Sequence, residues 1–340
     1  MGRLFITEKE EIKFIDNNSV VPPTKTPLLF FLGELCGETK HGFFDPISQT
    51  FTIIHLEELE CQAECLASRY GWLLILSRST SSLFFFNPIT REKINLPYKN
   101  RFIDAAAFSA PPTSPGCTVF AIETSSFITQ FRIDTFVMGV GQDQGWTSHK
   151  PCIGGYSFST KAFSNVVQAI CNNGVLYCVD SRGRIGTFDV KFGNWNIVLS
   201  KKFERVCTSP YLVEFNGEIF AAKRGAYGVV EKLYKLKLEH GVAAAWEEEK
   251  ELGDLSLFLA PYGSCGVLAL DGRLKKKLFV SNYGPKSKCV IYNVDGTDYK
   301  KAKSFDFRSF GWCYTPVWIE RLADLVSLWN KLDLKSRIDL

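Results

Sequence analysis

The chain has 340 residues, 46% apolar and 22% charged, so it can bury a large core and does not have the composition of a disordered chain. Its formal net charge of +4 is too small to point to nucleic acid. No apolar run approaches the roughly 18 residues that a membrane span requires.

Residues 1–27 mix charges with a few apolar side chains and end in a Pro-rich exit, Val20-Val21-Pro22-Pro23-Thr24-Lys25-Thr26-Pro27. This segment is expected to be a tail or linker, and its charged start has no apolar stretch of the secretory kind. From Leu28 the chain becomes strand-like. Aromatic residues make up 14% of it, 28 of them Phe, and such side chains suit the half-buried pleated surface of a sheet.

The stretch from Gly71 to Pro97 sets the pattern. Trp72–Leu76 and Leu83–Phe86 are apolar strands, Glu92–Leu96 is a half-polar third, and Asn87-Pro88 forms the turn between the last two. Similar units recur, with expected turn residues at Asp45, Asn87, Asp134, Asp189, Glu239 and Asp295, spaced by 42 to 56 residues. That interval fits one four-stranded blade. Asn173-Gly174 and Asn216-Gly217 add hairpin turns of the kind that needs positive φ. The expected fold is therefore all-β: a β-propeller of six blades of four-stranded antiparallel sheet over residues 28–320, with five or seven blades as the alternatives. Trp146, Trp195 and Trp246 recur at equivalent places and are expected to pack between blades. The first unit shows only three strands, near Leu28–Leu32, Gly42–Phe44 and Phe51–Ile54. Val317–Glu320 is then the spare strand that closes the ring, since open edges invite aggregation. Residues 321–340 carry Leu322, Leu325, Val326, Trp329 and Leu332 at helical spacing, which predicts a short C-terminal amphipathic helix.

Chemistry is sparse. The four His are far apart, and Cys61 and Cys65 lack a second pair at zinc spacing, so no metal, cofactor or catalytic residue is nominated. Eleven Cys, an odd count with several inside apolar strands, read as reduced thiols of a cytoplasmic or nuclear protein. Residues 271–303 hold nine basic side chains against three acidic, next to an acidic group of Glu247, Glu248, Glu249, Glu251 and Asp254. Solvated hairpin tips on adjacent blades are the expected reading, with a patch for an acidic partner as the alternative.

Several segments together resemble the β-propeller domain of plant F-box and F-box/kelch-repeat proteins. They are Gly71-Trp72-Leu73-Leu74, Leu83 to Thr90 with Leu96-Pro97, Phe108 to Cys117 running into Val119-Phe120-Ala121-Ile122, Thr187-Phe188-Asp189 with Trp195, Leu252-Gly253-Asp254, and Val317-Trp318-Ile319-Glu320. The resemblance implies a non-enzymatic, protein-binding propeller that holds the substrate protein of a ubiquitin ligase, with an F-box engaging a Skp1-type adaptor. Residues 1–27 are too short and polar for that F-box, and Leu322–Ile338 is similar to its opening half alone. The apolar face of Leu322–Leu332 is expected to dock on the propeller, and adaptor binding above background is not expected. The rival readings are a propeller hydrolase or lyase, which would need clustered, perturbed carboxylates at the channel mouth, and a truncated family member without a present role.

Overall fold

The computed structural model describes residues 13–15, 26–35, 38–60, 63–99, 102–124, 131–139, 145–150, 163, 165–198, 210–225, 229–239, 242–269, 272–282, 288–296, 298–307 and 313–321. These residues form 26 strands in six sheets. The first blade holds β1 (Lys13–Ile15), β2 (Leu28–Leu35), β3 (Glu38–Asp45) and β4 (Thr50–Ile54). The second comprises β5 (Ala63–Arg69), β6 (Trp72–Ser77), β7 (Ser82–Phe86) and β8 (Lys93–Asn95), close to the strands read from its sequence. The third is β9 (Ala105–Phe108), β10 (Thr118–Thr124), β11 (Phe131–Val137) and β12 (Thr147–His149). The fourth is β13 (Val166–Asn172), β14 (Val175–Asp180), β15 (Ile185–Asp189) and β16 (Asn194–Val198), and the fifth β17 (Tyr211–Phe215), β18 (Glu218–Arg224), β19 (Val230–Glu239) and β20 (Val242–Glu249). The sixth holds β21 (Leu255–Leu259), β22 (Cys265–Leu268), β23 (Lys277–Asn282), β24 (Lys288–Asp295) and β25 (Asp298–Asp306). The last strand, β26 (Cys313–Ile319), returns to the first blade and pairs antiparallel with β2, Leu28 opposite Ile319 and Leu32 opposite Thr315.

Two blades depart from four antiparallel strands. In the first, β1, inside the segment expected to be a tail, pairs parallel with β4 as a fifth strand. In the sixth, β21 and β23 are parallel neighbours, and β22 is added on the inner edge. Residues 322–340, with the helix expected there, lie outside the described residues.

Six apolar clusters hold the ring, each shared by two adjacent blades. Phe44 and Trp318 of the first blade meet Phe258 and Phe279 of the sixth, and Phe30 and Phe43 meet Leu73 and Phe84 of the second. Phe85 meets Phe108, Phe131 meets Phe163 and Trp195, Val179 meets Leu212 and Trp246, and Val213 meets Leu257. A blade has two apolar faces and no solvated one, which is why its central strands read as continuous apolar runs rather than alternating ones. Trp246 is fully buried, while Trp146 and Trp195 are partly buried at blade boundaries. Trp146 Nε1 donates to the Pro97 carbonyl at 3.1 Å, and the Trp195 ring lies 4.5 Å from Phe131.

Three of the expected turn residues cap their turns in the same way. Oδ1 of Asp45 accepts the amides of Ile47 and Ser48, that of Asn87 the amides of Ile89 and Thr90, and that of Asp189 the amides of Lys191 and Phe192. Glu239 and Asp295 are the last residues of β19 and β24. Asp134 instead lies inside β11, opposite Ala121 and Ser148, where its buried carboxylate accepts the Lys99 ammonium. The strand runs on to Val137, because a buried acid that finds a cation need not mark a chain reversal.

Candidate functional site

The innermost strands of the six blades surround the ring axis: β26, β5, β9, β13, β17 and β22. Neighbouring inner strands are linked by side chains rather than by a continuous ladder. Gln168 donates to the Leu212 carbonyl and accepts its amide, and Asn172 Nδ2 donates to the Gly217 carbonyl at 2.8 Å. The axis is blocked on one side by the turn between β21 and β22. Ser68 N donates to the Tyr262 carbonyl at 2.8 Å, Trp318 N reaches the Gly263 carbonyl, and Ser68 Oγ donates to the Trp318 carbonyl. A side chain at Gly263 would overlap Ser68 Cβ, so glycine is what lets the turn sit this close.

Above this plug opens a funnel of about 860 Å³. Its rim is built by hairpin turns that leave the inner strands. Tyr70-Gly71, Asn173-Gly174 and Asn216-Gly217 all have positive φ at both residues (55° and 77°, 49° and 77°, 50° and 81°), the geometry of the tight hairpin reversal. The residues just before these turns therefore end their strands at the same level and face one another.

Near these strand ends stand three charged residues, Arg69, Glu214 and Glu320. Arg69 Nη1 donates to the Cys171 carbonyl and Nη2 to Glu214, while the guanidinium lies 4.6 Å from the centre of the Tyr70 ring. Glu214 Oε1 accepts the Gly217 amide at 2.7 Å, which fixes the carboxylate to its own turn. Glu320, half-buried at the exit of β26, accepts the Tyr70 amide through Oε2 and lines the funnel. Burial raises the Glu320 pKa above the usual carboxylate range, opposed by the Tyr70 amide and the Arg69 charge. Burial lowers that of Arg321, opposed by Asp45, and pushes the Cys171 thiol up to about 11. Beside the charged wall, Phe215, Val267 and Leu268 form an apolar one, and Leu268 is 53% exposed at the rim. A remnant of about 30 Å³ lies between the plug and the Arg69–Glu214 pair.

No catalytic residue was expected from the sequence, and Arg69, Glu214 and Glu320, separated by 145 and 250 residues along the chain from Arg69–Tyr70, were not brought together by it. The readable signal was positional: Arg69, Asn172 and Glu214 each stand shortly before a hairpin Gly. Three members of the acidic cluster pair with lysines. Lys232 pairs with Glu248 at 2.9 Å, Lys235 with Glu218 at 2.5 Å, Lys237 with Glu247 at 3.2 Å and Lys275 with Asp254 at 2.8 Å. Cys65, Cys117, Cys171, Cys178, Cys265 and Cys289 are free and buried, and burial raises the pKa of each. Cys61 lies outside the described residues. Among the described residues no group of three His, Cys, Asp or Glu is placed to hold a metal ion, and no helix is long and apolar enough to cross a membrane.

Residues 43–295 match the family model described as KIB1-4 beta-propeller. The F-box/kelch-repeat protein At3g18720 of Arabidopsis thaliana is 30% identical over 247 residues, which cover 68% of this chain and 62% of that protein. The F-box protein At1g49360 is 29% identical over 66% of this chain and 45% of its own length, and the F-box protein At3g56470 27% identical over 76% and 68%, both from the same plant. The chain thus spans about half to two thirds of the length of these relatives.

Proposed function

The chain belongs to the KIB1-4 β-propeller family, and from that premise we propose that it is a non-enzymatic recognition module, which holds a partner protein at the funnel face of the ring. The observation that carries this reading is the funnel itself. It is rimmed by tight hairpin turns that need little ordering on binding, so association loses less conformational entropy. Loops held by a rigid scaffold are the usual carriers of recognition. The F-box names of the relatives support reading the partner as the substrate protein of a ubiquitin ligase in the cytoplasm or nucleus, while the chain itself is expected to bind no Skp1-type adaptor above background.

A photo-crosslinking residue placed at Leu268 tests the proposal against one at Thr80, on the β6–β7 turn at the opposite end of the strands. In plant cell extract a discrete crosslinked protein is expected from Leu268 and not from Thr80. The reverse pattern would move the binding surface to the other face.

A second reading has one observation in its favour. Glu214 and Glu320 share the funnel, and the raised Glu320 pKa is what a general acid requires. Turnover of a glycoside or ester panel that is abolished by Glu320→Gln would establish it in place of the first.

A further inference from the structure

The funnel has two unlike walls, and their chemistry narrows the partner. Arg69 has its guanidinium committed to the Cys171 carbonyl and Glu214, and its face is against Tyr70. Asp45 supports the charge of Arg321. Glu320 has Oε2 held by the Tyr70 amide and lines the funnel half-buried, so its other oxygen is open to a ligand. A cation brought by a ligand would bond that oxygen, whereas an anion would meet Glu214 and Glu320 and find the Arg69 guanidinium already engaged. The opposite wall, Phe215, Val267 and the exposed Leu268, can take an apolar group beside the cation. The rim amides of Asn173 and Asn216 can bond to a peptide backbone.

We propose that the funnel is a subsite for a basic side chain, lysine or arginine, carried by an extended segment of the partner protein with an aliphatic or aromatic residue next to it. The cation bonds Glu320 Oε1 and the neighbour covers Leu268. This rests on the reading that the partner docks at the funnel face. It commits to a protein segment rather than a free amine, because a free amine would leave the apolar wall and the two amides unused.

A random peptide library displayed on phage and selected on the full chain supplies the test. The expected consensus holds Lys or Arg beside an apolar residue. Acetylating that lysine in the synthetic consensus peptide removes the charge without touching the protein, and affinity should fall about tenfold or more, the worth of a charge-assisted hydrogen bond. Glu320→Gln should lower it similarly, and Leu268→Ser should weaken binding while keeping the preference for a basic residue. A consensus without a basic residue, no enriched peptide at all, or equal binding of the acetylated peptide would overturn the proposal. Crosslinking from Leu268 does not depend on charge, so it can succeed while the basic subsite fails, and the two readings are told apart.

Discussion

The first and fourth blades use one local plan under different constraints. In the fourth, Gly186 is followed by Phe188 and Asp189, and Trp195 on β16 lies opposite Phe188 with its ring over Gly186. In the first, Gly42 is followed by Phe44 and Asp45, and Phe51 on β4 lies opposite Phe44 with its ring over Gly42. The second blade shows the rule by exception: Phe84 stands where the glycine would be, and Lys93 covers it instead of an aromatic ring. The difference lies in how each blade is assembled. The fourth is one continuous stretch, while the first joins β2–β4 to β26 from the far end of the chain, a loop whose closure costs conformational entropy. The lesson is that the same repeat needs extra burial where the ring is fastened. Trp318 on β26 supplies it, fully buried against Phe258 and with Nε1 donating to the Leu259 carbonyl at 3.1 Å.

The largest effect expected from this contrast is at the fastening. Trp318→Ala should cost about 3–5 kcal/mol, the range for a fully buried aromatic, whereas Trp195→Ala, partly buried, should cost distinctly less. Urea unfolding of both variants measures this, and equal losses would break the comparison.

Next comes acid sensitivity, which only the first blade should show. His41 occupies the place that Ile185 fills in the fourth blade; both its ring nitrogens are buried without a partner among the described residues. Burial first, then the charge of His55, lower its pKa from 6.5 to about 4. The unfolded chain therefore binds the proton more readily, so the stability present above pH 6.5 is lost as pH falls toward 4, by about 3 kcal/mol. In His41→Ile this part of the acid limb should flatten in a series of melting curves.

The glycines give a smaller effect. An added Cβ at either would overlap the aromatic ring above it, and such overpacking costs about 1–3 kcal/mol. At Gly42 the Thr52 carbonyl also stands 3.2 Å away and at Gly186 the buried Phe163 ring 3.0 Å away, so Gly42→Ala and Gly186→Ala should both lower the melting temperature. The turn cap of the fourth blade should respond least. Asp189→Ala removes an acceptor from two exposed amides and should cost about 0.5–1.5 kcal/mol, whereas Asp45→Ala, at a buried carboxylate that also supports the charge of Arg321, should cost more.

By itself the sequence determined what depends on neighbours a few residues apart. Asn87-Pro88, Asp45 and Asp189 fold their turns through their own side chains, Asn173-Gly174 and Asn216-Gly217 supply the positive φ of their hairpins, and the apolar runs between them have the length of strands. Counting these units gave six blades, and the missing strand of the first pointed to the segment that β26 occupies. Asp134 was misplaced because the same residue type that caps a turn also pairs with a distant lysine, and only Lys99 tells the two apart. Tertiary structure alone decided the parallel pairing of β21 with β23, the turn that plugs the axis, and the meeting of Arg69, Glu214 and Glu320. Each of these depends on where the curvature of the closed ring brings strand ends that lie far apart along the chain, and no local preference encodes that distance.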